Sequence, residues 1–340
     1  MGSEVEGGAQ TMRTRRGTAR LRGWGGVGAM GLACALAGSL VLALPHKGVG
    51  GAKDDGSGVT VAAPSRADAD DCNDRSLRPS GKDGPAIDAI KNREVKKLIV
   101  GVDQNSYRWG YRDPNKPGGE LEGFDIDLAR EIAEEIFGDR DAIVFRAIPT
   151  NQRIPAIKSG QVDMVVRTMT VNCERLEDVD FSTGYFETGQ QVLAPKKSDI
   201  TGYDSSLKGK KVCSAAGSIA LEELEKKSFG ADISTTVPNQ LDCLVRLQLG
   251  EVDAVVTDSA LAASQAAQDP TVELKGEEPF TTEHYGVAMK KGSDDLVRRV
   301  NKVLDEYRED KKDGWQKSYD KWLKSGLGEV PGPPDPEYRD

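Results

Sequence analysis

The chain has almost no histidine. His46 and His284 are the only two in 340 residues, and none of its five cysteines stands in a Cys-x-x-Cys pair. A zinc site of the usual imidazole and thiolate ligands is therefore not expected. A cationic surplus is missing too: 46 Lys and Arg face 55 Asp and Glu, a formal net charge of −9. Phosphate backbones are held by clustered cations, so nucleic acid is not the main partner. Nor is the chain apolar enough for a polytopic membrane protein, with a mean hydropathy of −0.50. Yet 37% hydrophobic residues is more than a disordered chain carries. At roughly 100–200 residues per domain, there is room for two packed units.

What charge there is lies unevenly. Residues 1–22 hold five Arg against two Glu, leaving the rest with 41 basic and 53 acidic side chains. The basic stretch precedes an uncharged run from Gly23 to Pro45 with the apolar segment Leu32–Leu44. A basic region followed by an apolar one is the pattern of an export signal or a single membrane anchor. Its length suits a ~30 Å hydrocarbon layer, although six glycines dilute it. Leu32-Ala33-Cys34 has the shape of a lipoprotein site, but the chain stays apolar beyond it. Cleaved signal, lipoprotein and retained anchor all stay open. Residues 45–71 hold five Gly and no large apolar residue beyond three Val. Such a stretch cannot offset its ordering entropy and reads as a flexible spacer. Four further cysteines, Cys72, Cys173, Cys213 and Cys243, are an even number in an exported chain and predict two disulfides, with three pairings open.

From Lys96 onward short aliphatic runs alternate with amphipathic helices. Leu98–Val102, Ile143–Phe145, Met164–Arg167, Lys210–Ser214 and Ala254–Val256 read as strands. Ile126, Ala129, Ile132, Ala133 and Ile136 recur at helical spacing before Gly138, and Arg153–Ser159 and Asn239–Leu249 are shorter helices stopped by Gly160 and Gly250. Continuous apolar runs predict strands covered on both faces, as in parallel α/β sheets. One echo stands out. Residues 157–168, IKSGQVDMVVRT, match residues 247–258, LQLGEVDAVVTD, at a constant offset. The strands of two such units end in Thr168 and Asp258, and ligands bind beyond the carboxyl ends of strands in open α/β sheets.

Arg175, Asp258, Arg153 and the turn Ala215-Ala-Gly217-Ser218 are the candidate ligand groups around such a cleft. A guanidinium holds a carboxylate bidentately and a carboxylate holds an ammonium, which suits an α-amino acid. Arg153 and Arg175 against Asp258 leave one positive charge, pointing to glutamate or aspartate. Asp125 and Asp127 read as charges favoured at a helix N-terminus rather than a metal pair. Trp315, Tyr319 and Trp322 share one helical stripe and read as packing.

Residues 94–325 resemble family 3 of the bacterial extracellular solute-binding proteins, the polar-amino-acid-capturing subunits of ABC importers. The motifs are LIVGVD at 98–103, GFDIDL at 123–128, GQVD at 160–163, DFST at 180–183 with Tyr185-Phe186, KGKKV at 208–212, Val252-Asp-Ala254 and Tyr285-Gly-Val287. Cys72-Asn-Asp-Arg-Ser-Leu-Arg-Pro79, Cys173-Glu-Arg175 and Asp242-Cys243-Leu244 look most like the glutamate/aspartate-binding branch, which includes partners of a membrane amino-acid sensor. The resemblance implies an α/β, two-lobe periplasmic-binding-protein-like fold of type II with two crossover strands. It divides the chain into signal or anchor 1–44, spacer and N-terminal arm 45–93, lobe 1 at 94–191 and 286–326, lobe 2 at 192–285, and tail 327–340.

It also implies roles. Arg175 takes the α-carboxylate, Asp258 the ammonium, Ser218 a helix-N-terminus contact and Arg153 the side-chain carboxylate. Thr150, Thr168 and Thr170 supply hydroxyl and backbone contacts, and Gln240 a polar contact from lobe 2. Asp103 departs from the acidic-ligand pattern and stands where basic-ligand binders place an acid, with Arg108 or Arg112 as its expected partner. With those lobes, Cys213 pairs with Cys243 and Cys72 with Cys173. The chain is thus expected to be a monomeric, extracytoplasmic binder, tethered to the membrane through its N-terminal segment. Glutamate or aspartate is its expected ligand, glutamine or another polar amino acid the alternative, and an ABC permease or membrane sensor its partner. No cofactor, metal or catalytic residue is expected. Secreted dehydratases and cell-wall lytic enzymes share the fold, but they need a poised proton donor that this residue set does not offer.

Overall fold

The computed structural model describes residues 72–116 and 118–340. The signal or anchor segment with Cys34, and the spacer up to residue 71, lie outside the described residues. No described helix is long and apolar enough to cross a membrane.

Two five-stranded sheets organise the body. The first runs in the order 143–147, 98–102, 164–165, 288–290, 179–181; the second runs 236–237, 212–215, 254–258, 190–195, 272–275. Leu98–Val102 pairs in parallel with both its neighbours, as Val212–Ala215 does in the second sheet. Their side chains are almost wholly buried, as continuous apolar runs predict. The sheets are nevertheless mixed. Ala288–Lys290 is antiparallel to its neighbours in the first, and Gln190–Pro195 to its neighbours in the second. Connectivity is the reason. Both strands adjoin the antiparallel pair Phe186–Thr188 and Glu283–Tyr285, by which the chain crosses between lobes and back. A strand arriving from the other lobe enters against the βα direction.

The helix Phe124–Phe137 buries Ile126, Ala129, Ile132, Ala133 and Ile136 and ends on Gly138 at φ 71°, a left-handed terminus that glycine adopts without a Cβ penalty. The aromatic stripe is core. Trp315 stacks on Tyr319 with ring centroids 5.0 Å apart, and its indole N–H donates to the Tyr185 carbonyl.

The N-terminal arm and C-terminal tail lie together on the first lobe. Ser76 N–H donates to Glu337 O, Arg339 N–H to Ser76 O, and Asn301 Nδ2 reaches Ser76 Oγ and Leu77 O. A Cys72–Cys173 disulfide ties this arm to the start of the helix Cys173–Asp178 that carries Arg175, and Cys213–Cys243 staples the second lobe's core. Each such link contributes about 2–4 kcal/mol.

The echoed segments fold alike. Gly160 and Gly250 take φ 71° and 69°. Asp163 exchanges hydrogen bonds with Ile99, its N–H donating to Ile99 O and its carboxylate accepting Ile99 N–H at 2.8 Å. Asp253 does the same with Lys211, again at 2.8 Å.

Candidate functional site

Both echoed strands end at the seam between the lobes. Asp258 is the last residue of its strand. Thr168 lies just beyond the other, at φ 42°, a conformation uncommon for a residue with a Cβ. Its N–H donates to the Tyr185 hydroxyl at 3.2 Å, and its carbonyl accepts from Arg153.

Arg153 and Arg175 are buried and reach across the seam. Arg153 donates from Nε to Thr150 O, from Nη1 to the carbonyls of Arg167 and Thr168, and from Nη2 to Gly217 O of the second lobe at 3.1 Å. Arg175 donates from Nη1 to Thr170 O at 2.8 Å and from Nη2 to the same Gly217 O at 3.3 Å, with Glu222 at 3.8 Å. Gly217 is at φ 73°, and a Cβ there would lie 3.0 Å from Asn151 Cα. Glycine is what lets the lobes approach at this point. Burial pushes the Arg153 guanidinium well below its usual range, helped by the charges of Arg175 and Arg167; burial lowers Arg175 as well.

The second lobe brings Asp258, with Glu283 from the crossover strand beside it. Gln190 Nε2 lies 3.1 Å from Asp258 Oδ1 and 3.0 and 3.1 Å from the two Glu283 oxygens. Glu283 also accepts from Thr170 Oγ1 at 2.7 Å and Thr281 Oγ1 at 2.6 Å. Burial, then the neighbouring Glu283 charge, pushes the Asp258 carboxyl up to about 7. Two buried carboxylates bridged by one amide make a strong site for an ammonium group.

The remaining sequence candidates gather at the same seam. Thr150 Oγ1 donates to Gln240 Oε1 at 3.1 Å across it. The Ser218 hydroxyl accepts Leu221 N–H and donates to Ala215 O, so it caps the helix Ile219–Lys226.

Asp103 has a different partner from the one expected. Arg167 Nη2 lies 2.8 Å from Asp103 Oδ2. Arg112 instead donates to Gly119 O, and Arg108 lies over the Tyr107 ring at 5.0 Å. Pairing explains the choice: Val165 is in register with Gly101, so two residues further on Arg167 emerges beside Asp103. Asp125 and Asp127 both stand in the first turn of the helix Phe124–Phe137, as read, but Asp125 faces inward. It is buried, accepts from the Tyr185 hydroxyl at 2.9 Å, and is pushed up to about 7 chiefly by burial. Asp127 accepts from Ser318 Oγ and Trp322 Nε1.

Sequence reasoning missed Arg167, Gln190, Glu283 and Tyr185. Arg167 carried a signal, a charge directly after an apolar strand inside the echo. Gln190 and Glu283 carried none, because only strand pairing brings them to Asp258.

Two α/β lobes joined by two strands, with buried ionic groups from both at their seam, define a two-lobe periplasmic-binding-protein-like protein. Residues 98–325 match the model of the bacterial extracellular solute-binding proteins, family 3, and the chain belongs to that family. It is 35% identical over 257 residues to the ABC transporter glutamine-binding protein GlnH of Bacillus subtilis, covering 76% of this chain and 90% of that one. It is 29% identical over 259 residues to the glutamate-binding protein GluB of Corynebacterium glutamicum, covering 73% and 81%. Among solved structures, an ancestral arginine-binding protein bound to glutamine superposes with a TM-score of 0.60 at 36% identity, covering 68% of this chain and 98% of that one.

Proposed function

We propose that the chain captures a polar α-amino acid between its lobes for an ABC importer, with glutamine as the favoured ligand. The observation that carries this is the buried charge. The count that pointed to an acidic ligand used Arg153, Arg175 and Asp258; the structure buries Arg167, Asp103 and Glu283 at the same seam. The guanidiniums of Arg153, Arg175 and Arg167 face the carboxylates of Asp258, Asp103 and Glu283, with Glu222 beside Arg175 and Asp125 behind Tyr185, so no positive excess is left for an acidic ligand to balance. The similarity to GlnH supports the same choice. In this reading Arg175 holds the α-carboxylate, Asp258 and Glu283 hold the ammonium, and Arg153, Thr150 and Gln240 face the side chain. Thr168, Thr170 and Ser218 shape the walls.

An acidic ligand is the second reading. It is favoured by Asp103, which Arg167 already engages and which therefore repels an incoming carboxylate less, and by the similarity to GluB. The partner is an ABC permease, with a membrane sensor as the alternative. The protein works outside the cytoplasm, where two disulfides persist, tethered through residues 1–44. It binds rather than catalyses.

Calorimetry with the twenty amino acids tests this. Glutamine is expected to bind at micromolar affinity or tighter, about −8 kcal/mol. A preference for glutamate or aspartate selects the second reading, and no binding by any amino acid removes both.

A further inference from the structure

We propose that Arg167 is a specificity-determining residue, a cation built into the chain that fills the acidic subsite at Asp103 and so excludes cationic amino acids. The inference rests on the reading that the seam takes an α-amino acid. It adds which class of side chain the seam refuses, and why.

The groups follow one another along the seam. Arg175 and Arg153 share the Gly217 carbonyl, Arg153 donates to the Arg167 carbonyl, and Arg167 meets Asp103. The Asp103 end is thus the end remote from the α-carboxylate anchor. Arg167 is fully buried and Asp103 is 5% exposed. The guanidinium spans three groups there: Asp103 Oδ2, Thr150 Oγ1 at 3.0 Å, and Asn239 Oδ1 of the second lobe at 3.2 Å. Its Nε has no hydrogen-bond partner.

Asp103 is held independently of Arg167. Its Oδ1 accepts the N–H groups of Gln104 and Asn105 at 2.7 and 2.8 Å, and its Oδ2 accepts Ser106 Oγ at 2.9 Å. Shortening Arg167 therefore leaves a preformed, buried carboxylate facing a guanidinium-sized space. An unpaired buried charge is costly, and the cationic side chain of a ligand is the group that compensates it. In the wild type that position is already taken, so a ligand ammonium or guanidinium meets a like charge in place of a partner.

The test is calorimetric titration of the full chain with L-glutamine, L-glutamate, L-arginine and L-lysine. Arg167→Ser should raise arginine and lysine by about tenfold or more relative to glutamine, and Asp103→Asn combined with Arg167→Ser should abolish that gain. A merely structural role for Arg167 would weaken all four ligands together. Asp103→Asn alone probes the pair from the other side and does not depend on Arg167→Ser folding. It frees the Arg167 cation and should raise glutamate by about tenfold relative to glutamine. The proposal is overturned if the ranking in Arg167→Ser is unchanged, if the double variant keeps the gain, or if Asp103→Asn leaves the glutamate-to-glutamine ratio where it was. Wild-type protein that prefers arginine or lysine also overturns it, while leaving the amino-acid reading intact. Wild-type protein that binds none of the four overturns the amino-acid reading, and the role of Arg167 with it.

Discussion

Residues 157–168 and 247–258 are two versions of one device. Each has a glycine at positive φ that stops a helix, an aspartate that exchanges hydrogen bonds with a neighbouring backbone, and a buried strand. They differ where they leave the sheet. The first exits through Arg167-Thr168 and the second through Thr257-Asp258. The shared residues build the frame, because a chain reversal and a satisfied backbone are needed in both lobes. The differing residues stand where the strands leave for the seam, a guanidinium at the first exit and a carboxylate at the second. One frame used twice thus separates positions that hold the fold from positions free to carry chemistry.

The sharpest way to break this comparison is at the exits. Arg175→Ala, on the facing wall, should cost about 2–5 kcal/mol of amino-acid affinity because it leaves the ligand carboxylate unpaired, and Asp258→Asn should fall at the lower end of that range because Glu283 still faces the ammonium. Thermal unfolding should show both variants still folded. Binding that survives either change would mean the seam is not where the ligand's charges are met.

Frame changes should act on stability in both lobes alike. Asp163→Ala and Asp253→Ala each remove a carboxylate from a backbone N–H, a loss of about 1.5–3 kcal/mol in chemical denaturation. Asp163 should lie at the upper end, since it also pairs with Arg93 at 2.6 Å. If only one of the two destabilises, the echo is a coincidence of sequence and not a shared frame.

A smaller effect separates the two exits by pH. Burial and Glu283 hold the Asp258 carboxyl at about 7 against an ordinary 3.8, and a ligand ammonium selects its ionised form. Affinity should therefore rise with pH, by roughly tenfold between pH 6 and pH 8, with proton release on binding. Asp258→Asn should flatten that profile. For stability without ligand the sign is opposite. Asp258 and Asp125, both raised to about 7, bind more protons folded than unfolded. Stability is then lost as pH rises from about 4 through 7. Denaturation midpoints at pH 5 and pH 7.5 would show it; a midpoint that rises with pH would contradict these assignments.

Much of the fold was written locally. Aliphatic runs marked Leu98–Val102 and Ala254–Val256, helical spacing marked a helix from Ile126 up to Gly138, and Gly160 and Gly250 marked the two chain reversals, because period and glycine are properties of neighbouring residues. The seam was legible in outline, since Arg153, Arg175, Thr168 and Asp258 sit at element ends that can be read in order. Its electrostatic balance was not. That Arg167 and not Arg108 or Arg112 meets Asp103, that Glu283 lies beside Asp258, and that Asp125 is buried against Tyr185 all depend on residues 60 to 93 positions apart or on strand register. The sequence by itself determined the elements that period and glycine mark and the charged residues that stand at their ends. Tertiary structure alone decided which charges are buried together, because burial and distance are set by packing between elements, and those two quantities govern the cost of every charge at the seam.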